Sequence, residues 1–569
     1  MTWCVGVGKA EITPQVLGIG MLGYGIRDQN VEGVATPLFA RAFMVESGGN
    51  RLVYCLADVC FISQSVRTQV MERLQARGVD VSDHQVMLAA THTHSGPGGY
   101  GHFLFYNLPV PGFSQAVLDR LTEGIVDAIV QALDNAAPGT VQLAQGRIPE
   151  HEPVAFNRAL VSYNRNPDVT HAGPEDTHRA IDRTMTLLRF DAADGRPLGA
   201  FAWFGVHACS VHSDNRLLHH DNKGEAAAGL ETWASDALDA PDFVAGFPQT
   251  TPGDVTPNGR WCSRRKLSVG PHEDDFDNAA MNGRIQARYA KRLWHEAGEQ
   301  APLSGTLSGR IRYQSHERLP VDADFAGGRP DQTTSPGTIG INMLQGTGEG
   351  PGPLLHIPWL TLPLARAMRV VDLVGRRLGR GANPHGNKYP FLDTSRGGRG
   401  KAFGFFTQGD PILPGFIDPV VARVKELEKV GGVGDKPWTN PIVPVQVFVL
   451  GTLAIGGLPG EPTTTAGARV RATLAEGLAP LGVDTFVVGG YSNAYSGYIT
   501  TRHEYDQQRY EGASTYFGRY TLAGYRTRLR ALTEAIVAAP IANGADTGTS
   551  PIVFTPEELD RRAFVPPVA

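Results

Sequence analysis

No stretch of the chain approaches the roughly 18 consecutive apolar residues that a transmembrane helix needs, so no membrane span is expected. Cysteine is scarce, limited to Cys4, Cys55, Cys60, Cys209 and Cys262. So odd and scattered a set forms neither a CxxC metal motif nor the dense framework of a small secreted scaffold. It fits reduced thiols, with one disulfide left open. A surplus of basic charge is missing too: 52 Lys and Arg stand against 57 Asp and Glu, a net charge of −5, which offers no field for nucleic acid. The opening residues, MTWCVGVGKAEITP, lack the basic and apolar regions and the cleavage site of an export signal. The expected location is therefore the cytoplasm. Repeats and low-complexity tracts are also absent.

What is abundant is loop-forming sequence. Gly (68) and Pro (40) are both above average usage in these 569 residues, which favours a loop-rich enzyme over a helical scaffold. Strand-like and helix-like segments alternate in the first third. RLVYCLADVCFI (51–62) reads as a buried strand, residues 63–78 as an amphipathic helix closed by Gly, and HQVMLAATHTHSG (84–96) as a second strand. Residues 113–136 have helical spacing, and 198–210 form another apolar strand. Later, 445–461 predicts two strands around a tight turn, 463–478 a Thr-capped helix, and 485–498 a strand running into a loop. This alternation argues for an α/β core. Residues 305–440 carry the weakest signal. Residues 1–535 show no linker, and 536–569 read as an extended, partly ordered tail.

Several positions carry candidate chemistry. In THTHSGPGG, His92 and His94 lie two residues apart; on a strand such side chains project from one face. They can share a metal, divide ligation and proton transfer between them, or simply be satisfied polar histidines beside a turn. His207 ends the 198–210 strand, and Glu461 stands between a strand and a capped helix. A structural histidine and a helix-terminus carboxylate are the plainer readings of these two. Each is a weak signal alone; a catalytic zinc needs three or so N/O ligands and one open position, which strand ends converging on one rim could supply. Thr256 in GDVTPN is a nucleophile candidate or an ordinary turn residue. The Tyr-rich run 491–512 marks a packed groove, or phenols able to bind a metal or an oxyanion. Phe103, Phe105 and Tyr106 line an acyl groove or belong to the core.

Six motifs then occur in a familiar order: THTHSGPGG, FNRA, FGVHACSVHSDN with DNKG, GDVTPN, GLPGEPTTTAGARVR and YSGYITTRHEYDQQRYEGAST. In this order the chain resembles the neutral/alkaline (non-lysosomal) ceramidase family over nearly its whole length. The resemblance implies a large, multilayer, mixed-sheet α/β catalytic domain with many loops. It also implies a zinc ion on His92, His207, Glu461 and Tyr498, with His94, Arg158 and Tyr510 beside the metal or the substrate. Thr256 replaces the serine of the family's GDVSPN, which favours a hydrogen-bonding role over a nucleophilic one. The family's C-terminal immunoglobulin-like β-domain is not expected, because few residues follow Tyr510.

The implied activity is zinc-dependent hydrolysis of the amide bond of ceramide or a ceramide-like N-acyl amide by metal-activated water. In that scheme Tyr510 and Arg158 stabilise the oxyanion, His94 moves the proton and Thr256 orients the water or the amide. An intracellular enzyme acting on, or forming, a non-sphingolipid N-acyl amide is one alternative; a non-catalytic binder of an amphiphile or a protein partner is another. An amidohydrolase barrel starting from HxH is disfavoured, because the chain lacks that fold's eightfold βα rhythm and carries the later Tyr motif. The expected partner is a small-molecule N-acyl amide or lipid, with no nucleic acid, and the oligomeric state is not set by the sequence.

Overall fold

The computed structural model describes residues 3–350 (27 and 111 excepted), 370, 385–395, 401–402, 405–406, 419–540 and 548–564. Much of the weak-signal region 305–440 therefore lies outside the described residues.

Two sheets organise the chain. The first contains β1 (Trp3–Glu11), β2 (Phe39–Ser47), β3 (Asn50–Ala57), β4 (Val86–Ala90), β5 (Ala137–Arg147), β6 (Thr184–Ala192), β7 (Pro197–Trp203) and β8 (Val244–Gly246). These eight strands lie in the order β8-β7-β6-β5-β1-β2-β3-β4. The second sheet has four, β9 (Leu307–Ser315), β10 (Ile442–Leu450), β11 (Leu453–Gly457) and β12 (Thr485–Gly489), in sequence order.

Alternation along the strands stacks these sheets into layers. Phe43, Val45, Leu52, Tyr54 and Leu56 face Phe448, Leu450, Leu453 and Ile455 of the second sheet, forming a core between the sheets. The intervening residues Ala42, Met44, Val53 and Cys55 face the other way, onto the helices Gln64–Ala76 (α1) and Gln115–Asp134 (α2). Val445, Val447 and Val449 likewise point outward, against Thr464–Leu478 (α3) and Thr521–Ala538 (α4). The result is helices, sheet, sheet, helices: the multilayer mixed-sheet α/β architecture expected. Each large apolar side chain so buried contributes about 1.5–3 kcal/mol of transfer free energy.

Local signals account for the helices. Ser63, Ser114 and Thr463 accept hydrogen bonds from the backbone N–H groups of Val66, Val117 and Ala466, capping α1, α2 and α3. The α2 backbone lies directly on β1 because Gly6 and Gly8 have no side chain. A Cβ there would sit 1.9 Å from the Ala132 carbonyl oxygen and 2.2 Å from that of Ala128.

Three differences from the sequence reading matter. The strand expected over 84–96 ends at Ala90, and His92 adopts φ +69°. Strand alternation therefore does not explain how His92 and His94 share a side; a left-handed turn does. The strand expected over 198–210 stops at Trp203, leaving His207 on the loop beyond it. The segment after 548 is also more than an extended tail. Ile552, Phe554 and Leu559 pack into the core, and buried Arg562 donates to the carbonyls of Gly432 and Val433 at 2.5 and 2.9 Å.

Candidate metal centre and substrate cavity

Within the two sheets, three neighbouring pairs run parallel: β3 with β4, β7 with β8, and β11 with β12. The loops leaving their C-terminal ends carry the candidate residues. Cys60 follows β3 and His92 and His94 follow β4; His207 follows β7 and Thr256 follows β8; Glu461 follows β11 and Tyr498 follows β12. Carboxyl ends of parallel strands are where open α/β sheets generally place ligands.

Backbone contacts fix these loops to one another. His92 N–H donates to Val59 O and His94 N–H to Ala208 O, both at 3.0 Å. His207 N–H reaches Val255 O at 3.2 Å and Glu461 N–H reaches Gly497 O at 3.0 Å. A short parallel bridge sets Glu461 beside Tyr498.

The side chains then converge. His92 Nδ1 lies 2.6 Å from Cys60 O, and His207 Nδ1 lies 2.7 and 3.0 Å from the carbonyls of Pro252 and Val255. Each imidazole therefore carries its proton on Nδ1 and turns the Nε2 lone pair inward, the tautomer that metal-binding histidines use. His207 Nε2 is 3.2 Å and His92 Nε2 3.8 Å from Glu461 Oε2. His94 Nε2 stands 3.0 Å from His92 Nε2. All four side chains are buried. Neither His207 Nε2 nor Glu461 Oε2 makes a hydrogen bond of acceptable geometry with any described residue, a costly condition for buried polar atoms. Nitrogen and oxygen ligands about 2.0–2.1 Å from a tetrahedral zinc lie about 3.3 Å apart, close to the spacings found here. The donor set fits a divalent cation of that kind.

Electrostatics agree with the geometry. Burial pushes His92 down to about 3, so it is a neutral imidazole. Burial also lowers His94 well below its usual range. Burial raises Glu461, but His92, His207 and the Tyr495 hydroxyl outweigh it and hold the carboxyl at about 2. The Tyr495 hydroxyl donates to Glu461 Oε1, leaving Oε2 to the histidines. Tyr495 is itself stacked on Phe61, with ring centroids 4.3 Å apart.

Arg158 is more constrained than its sequence context suggests. Its Nε donates to Glu511 at 3.3 Å and Nη1 to Glu349 at 2.9 Å; Nη2 donates to Gly253 O at 3.0 Å and to the Tyr498 hydroxyl at 2.8 Å. Four contacts on a group with five N–H donors leave about one free. The Tyr510 ring meets that of Tyr498 edge-on at 5.5 Å. Thr256 is buried near Glu349: its hydroxyl accepts from Asn258 N–H at 3.0 Å. Burial raises the Glu349 carboxyl, but Arg158, His207 and after them Thr256 hold it below its usual range. Arg158, Glu349, Tyr498 and Tyr510 line one cavity with His92, His94 and Glu461, and Thr256 is outside that lining.

The remaining wall is apolar, with Phe61, Tyr106, Ile339, Met343, Phe391 and Tyr516 among its residues. Of the aromatic cluster expected to form a groove, Phe105 and Tyr106 line the cavity, whereas Phe103 packs against Phe554 at 5.2 Å. Glu349 and Tyr24 escaped the sequence reading, and Tyr495 and Glu511 lay within the Tyr-rich run without being singled out. Glu349 sits in the Gly-rich weak-signal region. The Tyr24 ring meets His94 edge-on at 4.7 Å, and Gly23 (φ +130°) leaves room for that imidazole, since a Cβ would lie 2.3 Å from its ring.

Residues 3–357 and 423–527 match the family described as neutral/alkaline non-lysosomal ceramidase, N-terminal. The chain belongs to this family. Neutral ceramidase of Pseudomonas aeruginosa is 36% identical over 525 residues, covering 92% of this chain and 70% of that protein. A solved structure described as ceramidase complexed with C2 aligns with a TM-score of 0.77 and 32% identity, over 97% of this chain and 77% of the other. The crystal structure of neutral ceramidase from Pseudomonas aeruginosa gives 0.74 and 31%, with the same coverage.

Proposed function

We propose that the chain is a zinc-dependent amidase that hydrolyses the N-acyl bond of ceramide or a ceramide-like amide. The observation that carries the reading is the trio His92 Nε2, His207 Nε2 and Glu461 Oε2, buried and facing one another beside an apolar cavity. Family membership and the neutral ceramidase of Pseudomonas aeruginosa support the choice of amide. His92, His207, Glu461 and Tyr498 would hold the zinc, which when bound supplies Lewis acidity and lowers the pKa of water toward about 7.

The other residues have separable tasks. Apolar wall residues such as Phe61 and Met343 take the acyl chain and exclude water, which strengthens polar interactions within the cavity. Arg158, pinned by Glu349 and Glu511, holds the Tyr498 oxygen and keeps about one N–H for the developing oxyanion; the Tyr510 hydroxyl donates a second hydrogen bond there. His94 is neutral and has a buried Nδ1 without a hydrogen-bond partner among the described residues. It accepts the proton released by the attacking water and delivers it to the amine nitrogen as the C–N bond breaks. The water oxygen ends in the fatty acid. Thr256 acts through Glu349 as a positioning residue.

The test is metal analysis of the purified protein together with hydrolysis of a short-chain ceramide before and after chelation. Zinc near one equivalent, activity lost to the chelator and its return on adding zinc are expected. Full activity in metal-free protein would end the proposal.

A further inference from the structure

Besides the cavity, one surface element stands out. Arg260–Cys262 and Leu267–Val269 pair antiparallel, in the register Arg260 with Val269 and Cys262 with Leu267. The turn Ser263–Lys266 is closed by Lys266, at φ +55°, whose N–H donates to Cys262 O at 2.7 Å. The hairpin sequence, RWCSRRKLSV, holds Arg260, Arg264, Arg265 and Lys266 and no acid, in a chain whose net charge is −5.

Two of these cations are occupied. Arg265 pairs with Asp214 and Asp275, each at 3.1 Å, and Arg260 donates to Gly270 O at 3.2 Å. Arg264 and Lys266 are exposed and have no ion-pair partner among the described residues. Trp261 beside them is 61% exposed, whereas Trp3, Trp203, Trp294 and Trp438 are all buried. An indole standing free beside unpaired cations combines the amphipathic ring and the positive charge that an anionic membrane interface attracts.

The hairpin is also rigidly mounted near the substrate cavity. Ser268 N–H donates to Gly348 O at 2.6 Å, and His212 Nε2 lies 2.9 Å from Ser268 O. Gly348 is flanked by Thr347 and Glu349, which line the cavity.

We propose that the Arg260–Val269 hairpin docks the protein on an anionic phospholipid surface, with Trp261 entering the headgroup layer and Arg264 and Lys266 meeting lipid phosphates. Trp prefers the membrane–water interface, and cations near an anionic leaflet gain attraction individually. The inference rests on the lipid-amide reading of the cavity, since a site for such a substrate profits from standing at the surface that holds it. An acidic protein would satisfy the cations but would not require an indole standing free beside them.

The experiment is co-sedimentation of the full chain with phosphatidylcholine vesicles, with and without phosphatidylserine and free of any amide lipid. Binding is expected only with phosphatidylserine and should weaken at high salt. It should fall about fivefold for each cation removed, and further on charge reversal, in Arg264→Glu and Lys266→Glu. Trp261→Ala should also bind less. All three variants should hydrolyse a monomeric short-chain ceramide at the parent rate. A parent protein that ignores these vesicles while hydrolysing the monomeric substrate overturns the docking inference alone, as does binding untouched by the substitutions. Vesicle binding without hydrolysis of any ceramide would instead remove the functional reading.

Discussion

Arg158 donates to the Tyr498 hydroxyl at 2.8 Å, and the same guanidinium is held by two buried carboxylates, Glu349 and Glu511. The planar fork matters more here than the charge, because a single ammonium cannot reproduce four directed contacts. Arg158→Lys is expected to lower kcat on a short-chain ceramide by about 100-fold or more, with a much smaller change in KM. Steady-state kinetics on that substrate, beside a thermal melt to establish that the variant is folded, decide the matter. An unchanged kcat would mean that the Arg158–Tyr498 contact is only structural.

Tyr495 orients Glu461 through its hydroxyl and is held in turn by stacking on Phe61. Removing the hydroxyl while keeping the ring, in Tyr495→Phe, should weaken zinc binding by about 10- to 100-fold. Competition against a chromophoric chelator measures this directly, and excess zinc should restore most of the lost activity. Parent-like affinity would show that Glu461 needs no such support.

His92 and Thr256 separate metal chemistry from covalent chemistry. His92→Ala should lose both zinc and turnover. Thr256→Ala, which removes a hydroxyl that accepts from Asn258 N–H and helps hold Glu349 ionised, should cost about tenfold in rate, and Thr256→Ser should recover most of it. Mass spectrometry during turnover should find no acylated Thr256; an adduct there would reverse the assignment.

Beside the hairpin, His212 Nδ1 and Asp275 form an ion pair at 2.8 Å. Burial alone would raise Asp275, but His212 and Arg265 outweigh it and hold its pKa at about 2. Burial lowers His212, and Asp275 overcomes it to give a net rise. The signs follow from linkage. The Asp275 contribution is complete above its unfolded value near 4 and is lost as pH falls toward about 2. The His212 contribution is present below its unfolded value near 6.5 and is lost as pH rises through its raised folded value. Asp275→Asn should therefore flatten both limbs and cost about 1 kcal/mol near pH 5, after allowance for its partial exposure. Urea unfolding across that pH range measures it, and parallel pH profiles for parent and variant would contradict the pairing.

Much of the fold was legible locally. The apolar run of β3 reads as a strand buried on both faces and Thr463 announces α3 through a hydrogen bond within three residues, whereas β2 and the caps Ser63 and Ser114 emerge only in the structure. The candidates His92, His207, Glu461 and Tyr498 were named from short motifs, and the structure brings the first three together. The path between motifs was not legible: the left-handed turn at His92 depends on contacts with Val59 and Ala208 that no local pattern encodes.

By itself, then, the sequence determined which side chains are available and which segments form strands and helices, since propensity and alternation act over a few bonds. The tertiary structure alone decided which nitrogen of His92 and His207 faces inward, that Arg158 is spent largely on Glu349, Glu511 and Tyr498, and that Thr256 lies behind the cavity wall. Those outcomes depend on carbonyls and carboxylates that are brought close only when three parallel strand pairs end at one rim. Direction and distance between remote groups are properties of the packed layers, and no single segment carries them.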